Sequence, residues 1–247
     1  MRQATAVVLA GMVIFGAERA AAQEAEGLAG WLSGNVAITS DYTFRGISQT
    51  LGGPAIQGGA DLAAPSGLYV GLWASSLNFG EDLSAGPRAQ IELDAYAGIA
   101  RELLGVSWQA GVIYYWYPEA ASSRNYDFVE GVLSVGRDFG VVAPTVSVSY
   151  SPDFFAGSGS AVHVAGELAI PLPSVFSLGL TLGRQWLEKE AVFGAPDYTY
   201  WQAGISAEVY GFTLTAAYVD TDLSREACFA GSDLCDGRAV FSLSRSR

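Results

Sequence analysis

The feature that most constrains this chain is a two-residue alternation of apolar and polar side chains, recurring from residue 32 to the end. The stretch "RAQIELDAYAGIA" (88–100) shows it: Ile91, Leu93, Ala95, Ala97 and Ile99 share one parity, while Gln90, Glu92, Asp94 and Tyr96 share the other. Twelve such runs lie near 32–43, 55–64, 67–77, 88–100, 104–116, 126–138, 141–151, 160–170, 175–186, 198–210, 211–220 and 237–246. Successive side chains of a strand point to opposite faces, so each run has one apolar face and one polar face. No helical period, heptad or low-complexity linker interrupts them. The chain therefore reads as all-β, and the open question is which parity meets water.

The connections answer part of it, because their lengths alternate. "APSG", "RELLG", "DFG", "PLPS" and "YG" are tight turns, whereas "RGISQTLGGP", "NFGEDLSAGPR", "YPEAASSRNY", "SPDFFAGSGS", "LEKEAVFGAPD" and "TDLSREACFAGSDLCDG" are longer loops. Transmembrane barrels of the outer-membrane type have short periplasmic turns, longer extracellular loops and an even strand number. A soluble sandwich or ligand-binding barrel has no reason to sort its loops by end so regularly.

Composition decides the parity. In 175–186, Phe176, Leu178, Leu180 and Leu182 oppose Ser177, Gly179, Thr181 and Gly183, and in 141–151 the polar set is Thr145, Ser147, Ser149 and Ser151. Water-facing sheets carry lysine freely, yet this chain has a single lysine, Lys189, and is only 15% charged. A narrow lumen, by contrast, has room for small polar groups. Aromatics cluster near run ends, in "YYWYP", "RQWLE", "YTYWQ" and "AYVD", as belts at the membrane interfaces do. The apolar parity, including Ile91, Leu93, Ala95, Ala97 and Ile99, is expected to face lipid and Glu92 and Asp94 the lumen. The expectation is a single up-and-down antiparallel transmembrane barrel of about 12 strands, closed because an open sheet edge cannot be satisfied in lipid.

The N-terminus agrees. Arg2 precedes an apolar run from Ala4 to Ala17 that leads into Ala20-Ala21-Ala22, which reads as a secretory signal over 1–22 with the barrel domain over 23–247. Export through the periplasm to the outer membrane follows. Cys228 and Cys235 meet an oxidising environment and are expected to form a disulfide; a structural zinc site would need further ligands that are not nearby. With 25 acidic against 13 basic residues and no basic patch, nucleic acid is not a partner.

At "NVAITSDYTFRGISQT" (35–50), "AIQGGADLAAPSGLYVGLWASSLNFG" (55–80), "ELDAYAGIA" (92–100), "YSPDFFAG" (150–157) and "CDGRAVFSLSRSR" (235–247) the chain resembles the TorF-like porin family, also called the Gcw_chp family of proteobacterial outer-membrane proteins. The resemblance runs from about Asn35 to the C-terminus. It implies an outer-membrane barrel that passes solutes and is assembled by the barrel-insertion machinery, and it carries over no substrate, cofactor or catalytic residue. Barrels of this kind usually end in an aromatic residue; here Phe241 lies six positions before Arg247.

Parity sends Asp61, Glu92, Asp94, Glu130, Glu167 and Glu208 inward, spread over alternate strands. Rings of acidic side chains favour cations, which suggests a passive channel for small cationic or neutral solutes. The same acids could instead pair with Arg45, Arg88, Arg137 or tyrosine hydroxyls and fill the lumen, leaving a structural or adhesive barrel with exposed loops. In "SDYTFRGISQT", Asp41, Arg45 and Gln49 bracket the first long loop; Arg45 either folds inward at the mouth or staples the loop to the rim through Asp41. Enzymatic readings are weak. Glu92 and Asp94 have a spacing that any strand produces, and His163, the single histidine, shares lumen parity with Glu167 and has no serine two positions on. No metal site or nucleotide fingerprint is present.

Overall fold

A computed structural model describes residues 31–81, 84 and 86–247, so the expected signal segment lies outside the described residues. The expected runs become twelve barrel strands. The first is β1 (Leu32–Thr39), followed after a short inner hairpin of β2 (Thr43–Phe44) and β3 (Ile47–Ser48) by β4 (Ala55–Ala63), β5 (Leu68–Ser76) and β6 (Ile91–Leu103). Then come β7 (Val106–Trp116), β8 (Phe128–Gly136), β9 (Ala143–Ser151), β10 (Ala161–Pro171) and β11 (Phe176–Leu187). The last are β12 (Tyr198–Val209), β13 (Phe212–Thr221) and β14 (Arg238–Ser246). Each pairs antiparallel with its neighbours, and β1 closes the sheet against β14.

Turn chemistry pins the register. Leu104-Gly105 and Tyr210-Gly211 link β6 to β7 and β12 to β13 with both residues at positive φ, the two-residue turn whose twist matches that of the strands it joins. The β6–β7 turn is thus shorter than the sequence suggested, because Arg101, Glu102 and Leu103 stay in β6. All the short turns gather at one end and all six long connections at the other.

The apolar parity faces outward. Ile56, Leu72, Leu182 and Phe241 are 60% to 66% exposed, far beyond what a soluble surface tolerates as a continuous belt, while Glu92 is 2% and Asp94 9% exposed. Tyr114, Trp116, Tyr150, Trp186 and Tyr218 form an exposed girdle near the long-loop end, and Phe139, Phe176, Tyr210 and Phe212 lie toward the turns. The barrel wears its hydrocarbon side outside, and its interior carries the polar parity of the strands together with buried aromatic clusters toward the long-loop end.

Candidate functional site

The lumen is not an unobstructed tube. The first long loop turns inward, and its tip is the β2–β3 hairpin, in which Thr43 pairs with Ser48 and Phe44 with Ile47. Arg45 (φ 50°) and Gly46 (φ 86°) make the turn. A Cβ on Gly46 would come within 2.7 Å of Tyr200 Cβ and Thr221 Cγ2, so glycine is required there by space as well as by conformation.

This geometry delivers Arg45 into the lumen, where it is 6% exposed. Nη1 donates to Glu130 Oε1 at 3.0 Å and to Gln185 Oε1 at 2.8 Å, and Nη2 donates to Glu130 Oε2 at 2.7 Å. The guanidinium also lies over the Phe44 and Phe154 rings, 4.7 and 5.8 Å from their centroids. A bidentate, ring-flanked contact of this kind suits arginine and not lysine. The expected staple to Asp41 does not form. Asp41 instead accepts from Ser48 Oγ and Thr50 Oγ1, each at 2.7 Å, and from Arg238 Nη1 at 2.9 Å, which ties the base of the loop to β14. Reaching inward past the rim brings Arg45 to a strand on the far wall.

Other contacts hold the hairpin from both sides. Tyr42 Oη donates to Glu92 Oε1 at 3.0 Å, and the Tyr42 ring meets Trp73 edge-on at 5.6 Å. From the other side, Ile47 packs with Tyr198, Tyr200, Cys228 and Cys235, and the Ser48 amide donates to Leu234 O at 3.0 Å. Cys228 and Cys235 form the expected disulfide. The disulfide loop therefore backs the hairpin rather than standing free outside.

The remaining expected lumen residues occupy distinct levels. Asp61 accepts from Tyr96 Oη at 2.6 Å nearer the turns, and His163 Nε2 lies 3.0 Å from Tyr200 Oη, with the two rings stacked. The Tyr200 ring fits because Gly183 faces it: a Cβ there would come within 2.3 Å of Tyr200 Cε1. Glu167 is half-buried, and Glu208 is exposed beside the β12–β13 turn, away from the others. Among the described residues Arg88 and Arg137 form no salt bridge to a lumen acid; Arg137 lies over Phe139 on the outer side. Gln185, Tyr42 and Trp73 were not singled out from sequence; inward parity marks Gln185 and Trp73, and Tyr42 enters the lumen on the infolded loop. Ser149 pairs in register with His163, yet the two share no hydrogen bond and His163 Nδ1 has no partner among the described residues. That arrangement lacks the relay a serine nucleophile needs.

Residues 22–247 match the family described as "Bacterial protein of unknown function (Gcw_chp)". The chain belongs to the Gcw_chp family. The fold of this Gcw_chp member is shared with solved outer-membrane porins. The KdgM porin superposes with a TM-score of 0.54 at 8% identity, covering 87% of this chain and 97% of that one. The NanC porin gives 0.53 at 8% identity, covering 86% and 97%. The COG4313 outer membrane channel from Pseudomonas putida F1 gives 0.51 at 12% identity, covering 87% and 94%. At such identities the likeness is one of architecture. No curated protein matches the chain.

Proposed function

We propose that the barrel is a passive outer-membrane channel for small cationic or neutral solutes, with the inward hairpin as its constriction. The observation that carries this reading is the charge of the lumen. Asp61, Glu92, Asp94, Glu130 and Glu167 lie on the inner parity, against Arg45 in the interior and Arg238 at the rim. Arg45 is committed to Glu130, so the remaining carboxylates set the sign of the field along the passage, and walls of low dielectric focus it. The likeness to porins and to a named channel supports the same reading.

A barrel with a filled lumen is the second reading. It is favoured by the hairpin and by the aromatic packing around it at the long-loop end, where Tyr115, Tyr117, Phe128 and Phe154 are buried with Leu77 and Leu187. Planar-bilayer recording under a salt gradient tests both. Wild type is expected to conduct with a cation-selective reversal potential, and Glu92→Gln/Asp94→Asn to shift that potential toward zero while still conducting. Unchanged selectivity in the double variant counts against the acidic lumen as the filter.

A further inference from the structure

We infer that Asp94, with Glu92 and the rings beside them, forms a binding site for an organic cation that bears N–H groups, a primary ammonium in chemical class. The inference rests on the channel reading only for the ligand's route of access. It starts from an acceptor without a donor: Asp94 is 9% exposed, and its Oδ1 is buried with no hydrogen-bond partner among the described residues. The charged groups that act on it are Glu92 and Glu130, both acidic. Glu130 is taken by Arg45, and the donors to Glu92 are neutral hydroxyls, Tyr42 through Oε1 and Tyr117. A buried carboxylate with neither a donor nor a counter-charge is costly, and a cation from outside the chain supplies both.

The surroundings choose the kind of cation. Asp94 pairs in register with Trp73 on β5 and with Tyr115 on β7, which places an aromatic side chain on each side of the carboxylate on the inner face. Tyr42 meets Trp73 edge-on from the hairpin, and Trp73 is only half-buried. Aromatic faces attract a weakly hydrated organic cation. A hard divalent metal demands about six oxygen ligands, and no cluster of three or more metal-ligating side chains occurs among the described residues. A quaternary ammonium would satisfy the rings but has no N–H to give the Asp94 carboxylate. A primary ammonium satisfies both.

Calorimetric titration of purified protein in detergent, with 1,4-diaminobutane as the probe, tests the site, and conductance in potassium chloride without the amine is recorded separately. Saturable binding is expected. It should weaken about tenfold or more in Asp94→Asn, since a charge-assisted hydrogen bond is lost. Trp73→Leu should also weaken it, while Glu226→Gln on an exposed loop should leave it unchanged. Tetramethylammonium and sodium should bind more weakly than the diamine. No saturable binding in a protein that still conducts overturns the site and leaves the channel standing. Equal affinity in Asp94→Asn, or equal binding of sodium or tetramethylammonium, also overturns it. Saturable binding in a protein that does not conduct upholds the site and removes the channel reading instead.

Discussion

At the scale of single residues, the molecule turns on Arg45 and its neighbour. Removing one partner of a buried, hydrogen-bonded ion pair leaves the other charge without compensation, which costs about 3 to 5 kcal/mol. Arg45→Ala is therefore expected to lower the unfolding midpoint, followed by loss of the heat-modifiable fast-migrating band. Gly46→Ala should cost about 1 to 3 kcal/mol through its left-handed backbone, with the contacts to Tyr200 and Thr221 adding to it. An unchanged midpoint would mean that the hairpin is not held as described. The sequence singles out Asp41 and Arg45 by their position at a strand end, but their partners were not legible there. Arg45 meets Glu130, 85 residues away, and Asp41 meets Arg238, 197 residues away. A loop that folds inward selects its contacts from the far wall, and local spacing holds no record of that.

At the scale of elements, the strands were legible because each must keep one parity in lipid over its whole length, so a slip of one residue would bury every carboxylate in hydrocarbon. The β2–β3 hairpin was not, since two-residue strands are too short to show a period. The disulfide was read correctly as a pair, but its role behind Ile47 depends on packing. Closing so short a loop contributes about 2 to 3 kcal/mol at most in the chain-entropy picture. Cys228→Ser/Cys235→Ser is thus expected to leave the barrel folded and to loosen the hairpin, seen as faster amide exchange at Ser48. Unaltered exchange there would separate the two loops. A second element-scale prediction concerns pH. Glu188 Oε2 accepts the Ser160 amide at 2.7 Å, and this backbone hydrogen bond holds the carboxyl below its ordinary value of 4.5. A lowered folded-state value contributes stability that is present above the ordinary one and is lost as pH falls through the lowered one. Ser160 exchange should accelerate, relative to its intrinsic rate, as pH falls through the lowered Glu188 value, and Glu188→Gln should remove that acid-dependent step.

For the whole molecule, orientation was legible and permeability was not. Closure of β1 on β14, the apolar exterior and the polar interior all follow from two-residue alternation combined with the scarcity of lysine. Whether a twelve-stranded lumen passes solute depends on what enters it. Here an inward hairpin is latched to Glu130 and Gln185, and on the proposed reading those few side-chain contacts set the width within a wall that the strands fix. The most direct measurement is single-channel conductance in planar bilayers for wild type and Arg45→Ala, each verified as folded by its heat-modifiable migration. Small cation-selective steps in wild type and larger steps in the variant are the predicted result; folded protein that is silent in both would contradict it.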